Sequence, residues 1–240
     1  MSNAIAPLSF LAASLIALAG CDGGVSTVPA PSTAGAATEP SIRYQVDTAN
    51  GRIWWLTREG VQLHDAKKPH KVAVPLPGWQ WAGEPYGCLP ALALGPNGEA
   101  LVTSDVESTV WKIDPDTLAV SMHVLAPDSD LDKDVGYTAL AYSSEHGAFF
   151  AVSGLHGSLW KIDSALSRAQ KVALPAPMRN ACGLSVAIQQ KAERRNGLCV
   201  RGKQGDWSVQ LASDQRSASV RAAPCTDLPS LLSQVTLRSE

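Results

Sequence analysis

The chain has 240 residues, with 20 Lys and Arg against 22 Asp and Glu, and a formal net charge of −2. That balance gives no electrostatic ground for nucleic acid or an anionic surface as partner. Apolar residues make up 45% and charged ones 18%, enough to bury a full core, so one globular domain is expected behind a short N-terminal region of different composition.

Residues 9–20 read S-F-L-A-A-S-L-I-A-L-A-G. The run is shorter than the ~20 apolar residues that span a bilayer and has the size of a signal-peptide core. It ends Leu18-Ala19-Gly20-Cys21, which resembles the lipobox of bacterial lipoproteins. That resemblance implies cleavage before Cys21, a diacylglycerol on its thiol, and a place in the cell envelope facing the periplasm, with the choice of inner or outer membrane open. No Lys or Arg precedes Arg43, so the usual basic start of a signal peptide is reduced to the α-amine. Residues 21–40 form the lipidated cysteine and a tether, because Asp22 to Pro40 contain no aromatic residue and no Leu, Ile or Met to bury. Extended, that tether reaches up to ~60 Å.

From residue 41 to 240 the sequence repeats. Thr109 to Asp114 reads T-V-W-K-I-D and Ser158 to Asp163 reads S-L-W-K-I-D, which sets Trp111 and Trp160 49 residues apart. The same step backward reaches Gln62 in G-V-Q-L-H-D, and 47 residues forward lies Trp207 in G-D-W-S-V-Q-L. Four copies result. Inside each, apolar residues alternate with period two in short runs bounded by turn residues, the pattern of strands. The second copy predicts strands over 89–94, 100–104, 109–113 and 119–125, and the third over 138–142, 148–153, 158–162 and 170–174. Asn50-Gly51, Asn97-Gly98, Gly147 and Asn196-Gly197 fall between first and second strands, where tight hairpins need positive φ. Residues 233–238 read as one further strand, able to latch onto the first copy or to offer an edge to a partner.

Four-stranded antiparallel units recurring every ~40–50 residues characterise β-propeller blades. The chain resembles the WD-repeat and YVTN-like propeller superfamily over about residues 41–223, without the G-H and W-D dipeptides of WD repeats. The expected fold is all-β, a propeller of four blades, either a closed ring or half of a larger one completed by a second copy or another protein. Trp111, Trp160 and Trp207 are expected between blades, and of Trp54 and Trp55 one is expected in the core and the other in inter-blade packing.

Apart from Cys21 there are Cys88, Cys182, Cys199 and Cys225, and an exported chain permits disulfides among them. Three pairings exist. Cys88 and Cys182 hold equivalent positions in the second and fourth copies, so a bond between them would cross the axis of a closed ring with Cα atoms within ~7 Å. Cys199 and Cys225 are then natural companions. No C-x-x-C spacing supports a thiolate metal site.

Candidate functional residues are few. Asp128, Asp130, Asp132 and Asp134 alternate as the start of a calcium loop does, but Lys133 stands where the sharp turn needs Gly and Ala139 where a bidentate Glu belongs, so a solvated inter-blade loop is the expectation. The insert Pro77 to Pro90 carries Trp79, Trp81 and Tyr86, aromatic anchors suited to a protein partner or equally to plugging the channel. No hydrolase, zinc-protease or phosphate-loop motif occurs, so no catalytic residue and no cofactor is nominated. The function expected is an exported, lipid-anchored binding or scaffold propeller with a protein partner in the envelope and a homodimer among its options. The alternative is a divalent-cation-dependent enzyme or small-ligand-binding propeller resembling gluconolactonase-like proteins, which Cys88, Tyr137 and Cys182 at the channel mouth disfavour.

Overall fold

A computed structural model describes residues 43–68, 70–80, 88–128, 136–186 and 197–225, all within the unit Glu39–Glu240. The described residues are all-β, and four sheets arrange as a four-bladed β-propeller. Blade 1 comprises β1 (Arg43–Asp47), β2 (Arg52–Thr57), β3 (Gly60–Asp65) and β4 (Val72–Val74). Blade 2 comprises β5 (Leu92–Leu94), β6 (Ala100–Thr103), β7 (Thr109–Ile113) and β8 (Val120–Val124). A two-residue strand, β9 (Ala126–Pro127), then leads to blade 3, with β10 (Ala139–Ser143), β11 (Ala148–Ser153), β12 (Ser158–Ile162) and β13 (Arg168–Val172). Blade 4 holds β14 (Ala181–Val186), β15 (Gly197–Gly202), β16 (Gly205–Leu211) and β17 (Ala218–Ala222).

Within every blade the strands pair antiparallel in sequence order. Hairpin chemistry is as the repeats require: Gly51, Gly98 and Gly147 have φ of 67°, 81° and 57° between first and second strands, a region that costs other residues energy. Two details depart from expectation. Blade 3 has five strands, because β9 pairs in parallel with β13 through Arg168 and Ala169. The first strand of blade 2 starts at Leu92 instead of residue 89, since Pro90 has no N–H to donate and the amide of Ala91 turns to the Thr103 hydroxyl.

The core lies between blades. Trp54 and Leu56 of blade 1 pack with Val102, Trp111 and Ile113 of blade 2. Leu101 and Val110 of blade 2 pack with Tyr137, Phe149 and Trp160 of blade 3. Phe150, Leu159 and Val172 of blade 3 pack with Leu198, Val200 and Val209 of blade 4, where Trp207 joins them half-buried. The repeated tryptophan of each third strand therefore faces the preceding blade. Its indole N–H is satisfied locally, Trp111 by the Pro77 carbonyl at 2.8 Å and Trp160 by the Ser158 hydroxyl at 2.8 Å. Gln62, the equivalent in blade 1, shares a face with Tyr44 and Trp55. Among the described residues no apolar cluster joins blade 4 to blade 1, and Tyr44 and Val46 stay 45% and 46% exposed. Trp54 is the core residue of its pair, as expected. Trp55 is not in inter-blade packing: it lies half-buried on this uncovered face, with the Lys71 ammonium 5.2 Å from its ring centre.

The last residue of the repeated W-K-I-D has a local task. Asp114 accepts the amides of Asp116 and Thr117 and the Thr117 hydroxyl, and Asp163 accepts the amide and hydroxyl of Ser167. Asp65 accepts the Lys67 amide in the same place. Each carboxylate closes the turn between the third and fourth strands of its blade.

Candidate functional site

The axis of the ring is organised by one cation. The Arg43 guanidinium donates to the carbonyls of Pro90 at 2.6 Å, Leu89 at 3.0 Å, Thr138 at 3.0 Å and Cys182 at 2.6 Å. One side chain of blade 1 thus touches the starts of the inner strands of blades 2, 3 and 4. Burial pulls its pKa below the ordinary 12.5. Beside it the disulfide Cys88–Cys182 crosses from blade 2 to blade 4 with Cα atoms 5.1 Å apart, and Cys199–Cys225 closes within blade 4 at 5.8 Å. These are two of the pairings that the repeat frame allows. A guanidinium reaching all four blades leaves no room at the centre for further ones, which removes the alternative of half a larger ring.

Where the inner strands finish, the axis opens into a cavity of about 650 Å³. Gln45, Leu94, Tyr142, Ser144, Ser185 and Arg201 are among its walls, together with Glu145, so every blade contributes. The apolar part is ordered by packing: the Tyr142 ring lies 4.9 Å from that of Phe149. Gln45 is oriented by donating its amide to the Leu92 carbonyl at 2.9 Å. Ser185 keeps its hydroxyl shut off from solvent without a hydrogen-bond partner among the described residues, a state that costs free energy until a partner arrives. Arg201 is exposed beside it on the same sheet face, two strand positions from the Ser185 partner Cys199. A cavity of this size with mixed apolar and hydrogen-bonding walls suits a ligand or an inserted segment.

Ser143 and His146 approach to 2.7 Å at the rim. This pair belongs to the hairpin turn after β10, where the serine side chain holds the loop. Among the described residues no group of three His, Cys, Asp or Glu is placed to hold a metal ion.

The described residues among those nominated from sequence do not line this cavity. Trp79 is half-buried against the core between blades 1 and 2, and its indole donates to the Thr103 carbonyl at 3.2 Å; it packs a seam. Trp81 and Tyr86 lie outside the described residues. Asp128 accepts the Lys171 amide at 2.7 Å and so fastens β9 to blade 3, while Asp130, Asp132 and Asp134 lie outside the described residues, as does Cys21. Tyr137 is fully buried, its ring edge-on to Trp160, and burial pushes its hydroxyl well above the ordinary value. The cavity residues were not singled out in the sequence. Their only signal was position: Gln45, Leu94, Ser143 and Ser185 lie toward the ends of successive innermost strands.

No family model and no curated protein matches the chain. Solved structures do. Virginiamycin B lyase from Staphylococcus aureus superposes over 83% of this chain and 58% of its own, with TM-score 0.55 and 13% identity. An auxiliary nutrient binding protein from Bacteroides thetaiotaomicron covers 76% of this chain and 41% of its own, with TM-score 0.52 and 8% identity. The GH74 xyloglucanase from Xanthomonas campestris covers 74% and 29%, with TM-score 0.50 and 14% identity. The likeness is one of fold. The chain spans less than two thirds of each of these proteins, which include both enzymes and a binding protein.

Proposed function

We propose that the protein is an exported, lipid-anchored binding propeller, tethered through Cys21 and facing the periplasm, whose axial cavity receives a segment of an envelope protein. The observation that supports this reading most directly is the cavity itself, with the Ser185 hydroxyl, which has no partner among the described residues, beside the exposed Arg201. A hydroxyl without a partner gains a hydrogen bond on binding at no loss elsewhere, and an exposed guanidinium adds a planar, charged donor set. Apolar walls from Leu94, Tyr142 and Val186 supply the area that makes such contacts tight.

The test is a photo-crosslinking residue at Ser144 in cells, with and without Arg201→Glu. The expected outcome is one discrete protein adduct in the membrane fraction, lost on Arg201→Glu while the circular-dichroism spectrum is unchanged. Absence of any adduct from Ser144, with the protein folded and abundant, overturns the reading. Anchoring is checked separately: Cys21→Ser should move the chain from the membrane to the soluble fraction and remove the acyl mass.

A further inference from the structure

Blades 1 and 4 turn unlike walls toward each other. Blade 1 packs Trp54, Leu56, Val61 and Leu63 on blade 2, so the alternate positions of its strands look the other way. There Tyr44, Trp55 and Gln62 form one cross-strand row and Val46, Ile53 and His64 the next. Tyr44 and Val46 are about half exposed, and the Lys71 ammonium stands over the Trp55 ring. Blade 4 packs Leu198, Val200 and Val209 on blade 3. Its other wall therefore carries Ser185, Cys199, Ser208 and Arg221 as one row, with Arg201 and Asp206 in the next. One wall is aromatic and apolar, and the other is polar.

The polar wall holds positive charge that no neighbour neutralises. Arg201 and Arg221 are exposed, and among the described residues neither guanidinium has a carboxylate or hydrogen-bond partner. Asp206, opposite Arg201 in the register, turns its carboxylate to the Cys225 amide at 3.2 Å. On the inner side Arg201 faces Gly183, which carries no side chain to stand between the arginine and the axis, and Arg201 joins Ser185 in the cavity wall. From there the wall continues outward past exposed Ser208 to Arg221. The two arginines stand two strands and two positions apart, which places their Cα atoms roughly 12 Å from each other. The whole chain has a net charge of −2, so this positive wall is a local feature and not a reflection of composition.

We propose that the segment taken into the axial cavity is an acidic, extended peptide that runs outward between these walls, with carboxylates on Arg201 and Arg221 and apolar side chains on Tyr44, Val46 and Trp55. The inference rests on the cavity reading above and adds the chemistry of the partner. An extended chain presents alternate residues to opposite sides, so one set meets the arginines and the other the aromatic wall. Carboxylates four residues apart lie about 13 Å from each other on one side of such a chain, matching the spacing of the two arginines. A guanidinium takes a carboxylate through two parallel hydrogen bonds, which favours carboxylates over neutral amides at both points.

The probe is a fluorescein-labelled peptide with the core E-V-T-V-E, read by anisotropy against the full chain with its disulfides intact, beside the same peptide carrying Q-V-T-V-Q. The acidic probe should bind about tenfold more tightly, and its affinity should fall as salt is raised. Arg201→Gln and Arg221→Gln should each weaken it about five- to tenfold with an unchanged circular-dichroism spectrum, and Tyr44→Glu on the opposite wall should weaken it by repulsion. Equal binding of the two probes, binding of neither, or binding indifferent to Arg221→Gln overturns the inference. Tighter binding of an acidic oligosaccharide than of the peptide overturns it as well, and makes a polysaccharide the occupant. Arg221 does not line the cavity, so the Ser144 crosslink separates the two readings. A Ser144 adduct that forms while the probes show no preference overturns the acidic groove and leaves the cavity reading standing, whereas loss of the adduct together with the preference overturns both.

Discussion

The seam between blades 2 and 3 and the seam between blades 4 and 1 are built by different means. The first is a wall of buried side chains in which Trp160, Tyr137, Phe149 and Leu101 interlock. At the second, among the described residues, the blades are joined near the axis, by the Arg43 donor to the Cys182 carbonyl. Apolar packing is additive along a repeat, because each blade buries its neighbour's face with its own third-strand aromatic. Blade 1 lacks that arrangement toward blade 4, and a directional hydrogen bond near the axis takes its place, beside a covalent cross-tie that joins blade 4 to blade 2.

Breaking the cross-tie should be the largest single perturbation. Replacing Cys88 and Cys182 by Ser opens a loop of 94 residues, with an expected loss on the order of 4–5 kcal/mol in urea unfolding by chain entropy. Trp160→Ala attacks the filled seam and should cost about 3–5 kcal/mol, the range for a buried aromatic. Arg43→Met removes the axial donors and should cost on the order of 2–3 kcal/mol, with faster amide exchange at the starts of β10 and β14. Trp55→Ala, the counterpart on the uncovered face, should cost less than half of Trp160→Ala in the same assay, since it begins half-buried. A loss at Trp55 equal to that at Trp160 would erase the distinction between the seams.

The smallest effect concerns turns that the seams do not touch. Asp65 and Asp114 are held below the usual carboxylate value of 3.8, chiefly by the amides of Lys67 and Thr117 respectively. At Asp163 burial pushes upward, but the Ser167 hydroxyl and amide outweigh it and the net direction is also down. A carboxyl with a lower pKa folded than unfolded stabilises fully above the unfolded value and loses that contribution as pH falls through the folded one. The acid limb of stability should therefore steepen below about pH 4 and flatten in an Asp114→Asn, Asp163→Asn double variant. Equal responses from Asp65 and Asp114, followed by NMR titration, would show that turn chemistry is indifferent to whether the adjoining seam is filled.

Much of the fold was legible because it repeats. The T-V-W-K-I-D and S-L-W-K-I-D pair places β7 and β12 to the residue, and the Asn-Gly turns place their hairpins, because local φ demands and period-two burial act on neighbouring residues. The equivalence of Cys88 and Cys182 likewise made their approach predictable from the frame. Trp55 escaped, since which face of a strand is covered depends on the neighbouring blade and not on the strand. Arg43 escaped more completely: its acceptors are backbone carbonyls, which any sequence has. The cavity draws Gln45 and Ser185 from the ends of innermost strands and Arg201 from a second strand, and it exists only once the blades stand around one axis.

The Cys88–Cys182 bond has a mechanical consequence. It turns residues 88–182 into a covalent hoop that contains all of blades 2 and 3, while blade 1 and the rest of blade 4 hang from it as flaps. Tension arriving through the N-terminal side enters at β1 and should peel blade 1 off in one step, with the hoop left standing. Unravelling would then proceed in an order written by the cysteines, outer flaps before hoop.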